Sequence, residues 1–220
     1  MKFAVLGTGA VGRAVSAKLD ELGHEVVVGT RDVDALRGRE DAATWLDAHP
    51  AITPLTFQDA AGHGDVVVLA TGGGVALDVL TSAGAQHLAG KVLLDITNPL
   101  DFSGGFPPRL SVVNDDSLSE QIQRAFPDLR VVKTLNTVNA SLMVDPGQLA
   151  SGDHTVFVSG NDPAAKQVAS DLLVEFGWSD ILDLGDLSTA RGTEMWLALW
   201  VRLLQAQGTP HFNLKVVREP

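Results

Sequence analysis

A chain of 220 residues, 45% of them hydrophobic, is long enough to build one substantial core. Its formal net charge of −11 argues against nucleic acid and anionic membranes, which are gripped by clustered Lys and Arg, and no stretch approaches the roughly 20 apolar residues of a membrane span. The absence of cysteine excludes thiolate catalysis, disulfides and iron–sulfur ligation and fits a cytoplasmic protein, while the absence of tyrosine excludes a Tyr-x-x-x-Lys proton donor.

In chain order, residues 2–6 (KFAVL) predict a strand that runs directly into Gly7-Thr8-Gly9-Ala10-Val11-Gly12, a G-x-G-x-x-G turn. The glycines break the N-terminal apolar stretch and Arg13 closes it, so it does not read as a signal peptide. Val11, Val15, Leu19 and Leu22 then recur at helical spacing, giving a helix over 10–22, and a second strand follows at 25–29. This strand–turn–helix–strand unit is the dinucleotide fingerprint. Gly7 permits the tight turn, Gly9 admits a pyrophosphate to the backbone, and Gly12 lets the helix pack close to the strand.

The end of the second strand selects between NAD and NADP. A ribose-binding carboxylate belongs about 20 residues beyond the fingerprint. Gly29 lies 17 residues beyond Gly12 and Asp32 lies 20 beyond it, so Asp32 competes for that role. The valine run places the strand's last residue at Val28 or Gly29 and leaves Asp32 in the loop. Gly29 then offers space, Thr30 a hydroxyl donor and Arg31 a guanidinium fork to a 2′-phosphate, which predicts NADP(H). The competing reading has Arg31 on the surface, paired with Asp32 or Asp34.

Further strands are predicted at 53–56, 65–69, 91–95, 131–135 and 154–159, with a weaker one at 180–184. Helices are predicted at 41–48, 73–83, 117–125, 162–176 and 188–206. Runs such as VVVLA and KVLLD are apolar throughout, as expected of parallel strands covered on both faces. The fold class is therefore α/β: a Rossmann-like, doubly wound, mostly parallel sheet. Residues 1–160 form its NADP-binding domain, and 161–220 form a small α/β extension packed on it as one unit.

Ligands of such sheets bind outside the strands' carboxyl ends. Those ends carry Thr71 and Gly72 to Gly74, then Asn98 and Pro99, then Asn136, where a nicotinamide would lie; the glycines also suit simple turns. The long loop at 96–116 is either a lid or a surface excursion. Lys133 is a weak candidate proton donor or anion anchor, and equally an edge-strand lysine. The six histidines show no metal spacing. The last helix is apolar around most of its circumference from Met195 to Leu204. It reads as a core helix or as the face of a homodimer.

The segments GTGAVGRAVSAKLDELGHEVVVGTR, DITNPLDF, VVKTLNTVNASLM, HTVFVSGND and LGDLSTARGTE together resemble the coenzyme F420-dependent NADP reductase family, and the likeness spans nearly the whole chain. The LNTVNASLM and STARGTE stretches are also similar to the cytoplasmic reductase domain of STEAP metalloreductases. The resemblance implies a dimeric Rossmann protein in which Thr30 and Arg31 grip the NADP 2′-phosphate, and hydride transfer between NADPH and a 5-deazaflavin. Two positions depart from the family's archaeal members. Thr71-Gly72-Gly73-Gly74 replaces an apolar, proline-containing turn, and Asn136 stands where a histidine is frequent. The phosphate and glutamate tail of F420 would look to Arg109, Lys133 and Arg191. β-Hydroxyacid dehydrogenases and imine reductases share the fingerprint but add a large helical domain, for which the residues after 160 are too few.

The expected function is thus an NADP(H)-dependent oxidoreductase whose small-molecule acceptor is F420, FMN or FAD. It needs mostly positioning, because the cofactors carry the chemistry. The other reading is a non-catalytic NADP(H)-binding redox sensor.

Overall fold

The computed structural model describes residues 1–219. The chain enters through β1 (Lys2–Leu6), α1 (Ala10–Glu21) and β2 (Glu25–Thr30). Two short helices, α2 (Val33–Arg37) and α3 (Glu40–Ala48), lead to β3 (Thr53–Thr56). There follow α4 (Phe57–His63), β4 (Val66–Leu69), α5 (Ala76–Ala83), α6 (Ala85–Leu88) and β5 (Val92–Asp95). A two-residue hairpin, β6 (Leu100–Asp101) with β7 (Arg109–Leu110), precedes α7 (Leu118–Ala125) and β8 (Arg130–Thr134). The chain closes with α8 (Ala140–Val144), β9 (Thr155–Gly160), α9 (Pro163–Glu175), β10 (Asp180–Gly185), α10 (Ala190–Met195) and α11 (Leu197–Gln207).

Eight strands form one sheet in the order β10-β9-β8-β5-β4-β1-β2-β3. All neighbours are parallel except β8 and β9, which pair antiparallel from Val132–Gly160 to Thr134–Val158. The predicted doubly wound, mostly parallel sheet is what the chain forms. Alternation along β1 shows why its strands are apolar throughout. Phe3 and Val5 pack with α1, α8 and α9 on one face, whereas Ala4 and Leu6 pack with α4, α5 and α7 on the other. At about 0.8 kcal/mol for each buried methylene, these two layers are the main stabilising contribution.

Three local expectations are corrected. The helix predicted over 73–83 begins as a 3-10 turn at Gly73–Val75, with α5 starting only at Ala76. The helix predicted over 188–206 is three pieces, a 3-10 turn at Leu187–Thr189, then α10 and α11. In α11 only Leu197 and Val201 are buried, and Leu199 is half exposed, so this helix is not buried on several sides.

Candidate functional site

The glycine turn is built as tightly as its composition suggests. Gly7 has a φ of +124°, donates its amide to the Gly29 carbonyl at 3.1 Å, and leaves no room for a Cβ against the Ala70 carbonyl. A Cβ on Gly12 would collide with the Gly7 carbonyl, so only glycine lets α1 begin so close to β1. Nothing lies within 4 Å of the Cβ position of Gly9. Gly9 is the N-cap of α1 and provides no side-chain cap, so the first amides of a 12-residue helix face open space. That cradle fits a pyrophosphate.

To one side of the turn lies a cavity of about 400 Å³ lined by Gly7, Thr8, Gly29, Thr30, Arg31, Asp32, Ala35, Leu36, Arg39 and Phe57. Strand β2 extends one residue further than predicted and ends at Thr30. Asp32 is the N-cap of α2. Its carboxylate accepts the Ala35 amide at 2.9 Å and is spent on its own helix. Arg31 is exposed, and among the described residues it pairs with no carboxylate, neither Asp32 nor Asp34. Gly29 lines this cavity and has a second part beside the one expected. A Cβ there would stand 2.7 Å from Leu6 Cδ2 and 3.1 Å from Phe57 Cδ1, so the glycine also admits α4 to the sheet.

To the other side lies a cavity of about 370 Å³. Thr71, Gly72, Asn98, Asn136 and Val11 line it together, from the ends of β4, β5 and β8 and the start of α1. Asn98 Nδ2 donates to the Asn136 carbonyl, and Asn136 Nδ2 donates to Asn98 Oδ1, both at 2.9 Å. Asn136 Nδ2 also donates to the Thr193 carbonyl at 2.9 Å, which ties this wall to α10. Gly73 is closed against the Asn98 carbonyl, whereas Gly72 and Gly74 face open space, so the three glycines serve both as a packed turn and as an open wall. Pro99 does not line the cavity. It is buried, and its carbonyl accepts the Ser111 amide at 2.8 Å, anchoring the hairpin.

The far wall, Leu100, Phe102, Val138, Met143, Leu197 and Trp200, escaped the sequence reading. Only the apolar run at 195–201 signalled it. No charged side chain lines this cavity. Thr71 Oγ1 and Trp200 Nε1, both on residues that line the cavity, are buried without a hydrogen-bond partner among the described residues.

Lys133 is neither an edge-strand lysine nor a free anion anchor. Strand β8 lies between β5 and β9, and the side chain is 1% exposed. Its Nζ meets Asp95 Oδ2 and Glu194 Oε1 at 3.0 Å each and donates to the Thr97 carbonyl at 2.6 Å. Burial alone would push its pKa down, but the two carboxylates outweigh burial and raise it. Glu194 also accepts the amides of Leu118 and Ser119 at the start of α7, and Asp95 accepts Ser119 Oγ at 2.5 Å. The other expected cations are similarly placed away from the cavity. Arg191 forks onto Glu120 at 2.8 and 2.6 Å, and Arg109 sits exposed on β7. Among the described residues no cluster of His, Asp and Glu is arranged to hold a metal ion, and no helix is long and apolar enough to cross a membrane.

Comparison with known proteins agrees with this geometry. The family model described as "NADP oxidoreductase coenzyme F420-dependent" matches residues 2–99, which contain the glycine turn and both cavity-forming ends of β2 and β4. The chain is 57% identical to a protein from Arthrobacter sp. FB24, provisionally described as an F420-dependent NADP reductase. That crystal structure superposes with a TM-score of 0.98 over 99% of this chain and 100% of the other. The F420-dependent NADP reductase of Methanocaldococcus jannaschii is 28% identical over 87% of this chain and 86% of its own length. Metalloreductase STEAP3 of Rattus norvegicus is 29% identical over 95% of this chain, which spans only 38% of that protein. An Aspergillus terreus imine reductase, at 16% identity and a TM-score of 0.65, shares the fold, and this chain covers 63% of its length. The chain is an NADP-dependent oxidoreductase and belongs to the coenzyme F420-dependent NADP reductase family.

Proposed function

We propose that the protein transfers hydride between NADPH and a deazaflavin (F420) or flavin-type acceptor such as FMN or FAD. The observation that carries this reading is the pair of cavities flanking the Gly7–Gly12 turn, one containing an unpaired arginine and the other uncharged and largely apolar. Gly7, Thr8, Gly9, Ala10, Val11 and Gly12 would hold the pyrophosphate, and Thr30 and Arg31 the 2′-phosphate. Thr71, Gly72, Asn98 and Asn136 would orient the nicotinamide, with Pro99 fixing the loop behind Asn98. NADPH supplies the hydride. The chain's own task is to align two flat rings between the Asn98–Asn136 wall and the Leu197–Trp200 wall and to keep water away. No titratable side chain lines that space, so none is assigned an acid or base role. The relatives' names support F420 as acceptor, since both the methanogen protein and the Arthrobacter protein carry it.

We place the homodimer contact on α11, where Leu199 presents a half-exposed apolar surface. The function is tested by incubating the protein with NADPH and, separately, F420, FMN and FAD while following absorbance at 340 nm. Oxidation of NADPH with at least one of them is expected. Tight NADPH binding without turnover by any acceptor would overturn the proposal in favour of redox sensing.

A further inference from the structure

The cavity at the end of β2 contains a second cation that the fingerprint does not reach. Arg39 lies between α2 and α3 and lines the same space of about 400 Å³ as Thr30 and Arg31. Its guanidinium is held from one edge only. Nε donates to Asp41 Oδ1 at 3.2 Å and Nη2 to Asp41 Oδ2 at 2.8 Å, which is a side-on fork. Among the described residues Nη1 has no partner, so one edge of the fork remains available.

Asp41 is itself shared. Arg13 Nη2 donates to the same Oδ2 at 2.7 Å, while Arg13 Nε donates to the Thr8 carbonyl at 3.0 Å inside the glycine turn. Hydrogen bonds from Arg39 and then Arg13 hold the Asp41 carboxyl at a pKa of about 2, so it stays ionised and gripping across the physiological range. One carboxylate thus ties the turn that would receive the pyrophosphate to the arginine beside the Thr30–Arg31 end. The one carboxylate lining the cavity, that of Asp32, caps α2 instead of opposing an anion.

We infer that Arg39 is a second specificity-determining residue for the NADP 2′-phosphate, oriented by Asp41, so that the phosphate is held between two guanidinium groups. The inference rests on the proposed placement of the 2′-phosphate in this cavity. It gives a role to a guanidinium pinned at one edge, with its other edge free, in the cavity that also holds the unpaired Arg31. Its chemistry is that of a phosphomonoester dianion, for which paired arginine forks are the favoured receptor.

The test measures equilibrium binding of NADPH, NADH, 2′,5′-ADP and 5′-AMP to wild type, Arg39→Ala and Arg39→Lys. For Arg39→Ala, affinity for NADPH and 2′,5′-ADP is expected to fall by about tenfold, the scale of one charge-assisted hydrogen bond. NADH and 5′-AMP binding should change by less than about twofold, since they lack the group addressed. Arg39→Lys should restore part of the loss, because charge returns without the fork. If wild type prefers the 2′-phosphorylated ligands and Arg39→Ala keeps that preference, the role of Arg39 is overturned while the cavity assignment survives. If wild type shows no preference, the cavity assignment fails and the inference falls with it. Equal loss on all four ligands would mean a merely structural role and would likewise overturn it. Thermal melts of each variant guard against misreading an unfolded protein.

Discussion

At the scale of single residues, Arg31 and Lys133 show two separate uses of a cation, one exposed beside a cavity and one buried in the fold. Arg31 is exposed and unpaired at the mouth of the β2 cavity, so its charge is available to a ligand at little desolvation cost. Arg31→Ala is expected to weaken NADPH binding by roughly 1.5–3 kcal/mol, the range for a hydrogen bond to a charged group, with NADH nearly unaffected. Titration calorimetry with both cofactors measures it. Lys133 is the opposite case, a buried cation between Asp95 and Glu194 whose role is to join β5, β8, α7 and α10. Lys133→Met would strand two buried carboxylates. It should destabilise the fold by about 3–5 kcal/mol, read as a lower urea midpoint and a Tm lower by roughly 10 °C. An Arg31→Ala protein should melt like wild type, because an exposed side chain without a partner contributes little.

At the scale of elements, glycines placed side by side have separate jobs. Gly73 abuts the Asn98 carbonyl, whereas Gly72 faces open space one residue earlier. Gly73→Ala must therefore push the β5 end outward, at a cost of about 1–3 kcal/mol and with slower acceptor turnover. Gly72→Ala should stay within about 0.5 kcal/mol of wild type in chemical denaturation. Such differences also mark what the sequence can convey. The unit from β1 to β2 was legible because a periodic helix and a glycine turn constrain each other within about 30 residues. Asp32 was legible as a residue in the loop but not as a helix cap, because α2 is only five residues long and shows no period. Helices α4, α6 and α8 were missed for the same reason. Neither reading of Lys133, as a proton donor or anion anchor or as an edge-strand lysine, points to its buried place between two carboxylates, because strand order depends on distant pairing. Nothing local to VVKTLNT says that β9 will dock antiparallel beside it. The far wall of the 370 Å³ cavity was hidden because Met143 on α8 and Leu197 and Trp200 on α11 meet only in three dimensions.

At the scale of the whole molecule, the same sheet serves a stable core and an open edge. Both faces of the sheet are covered, and the large apolar side chains left exposed are scattered, among them Phe102 and Phe106 in the hairpin, Val174 on α9 and Leu199 on α11. Placing the dimer contact on α11 predicts that Leu199→Glu shifts the sedimentation coefficient from dimer to monomer while each protomer stays folded. Unchanged sedimentation would remove α11 from the interface.

With the nicotinamide placed as proposed, the uncharged lining of the 370 Å³ cavity would also bear on the thermodynamics of the cofactor's two redox states. An oxidised nicotinamide carries a positive charge and a reduced one does not. A lining without a carboxylate desolvates that charge and offsets it only through neutral groups, the Asn98 and Asn136 amides and the Trp200 ring. The protein is therefore expected to bind NADPH more tightly than NADP⁺, by a margin that introducing a carboxylate at Val138 or Leu197 would shrink. Through linkage, the bound couple would then hold its hydride more firmly than the free one, which would bias the resting protein toward the reduced nucleotide. Parallel Kd measurements for NADPH and NADP⁺ decide the matter, and equal values would show that the ring lies elsewhere.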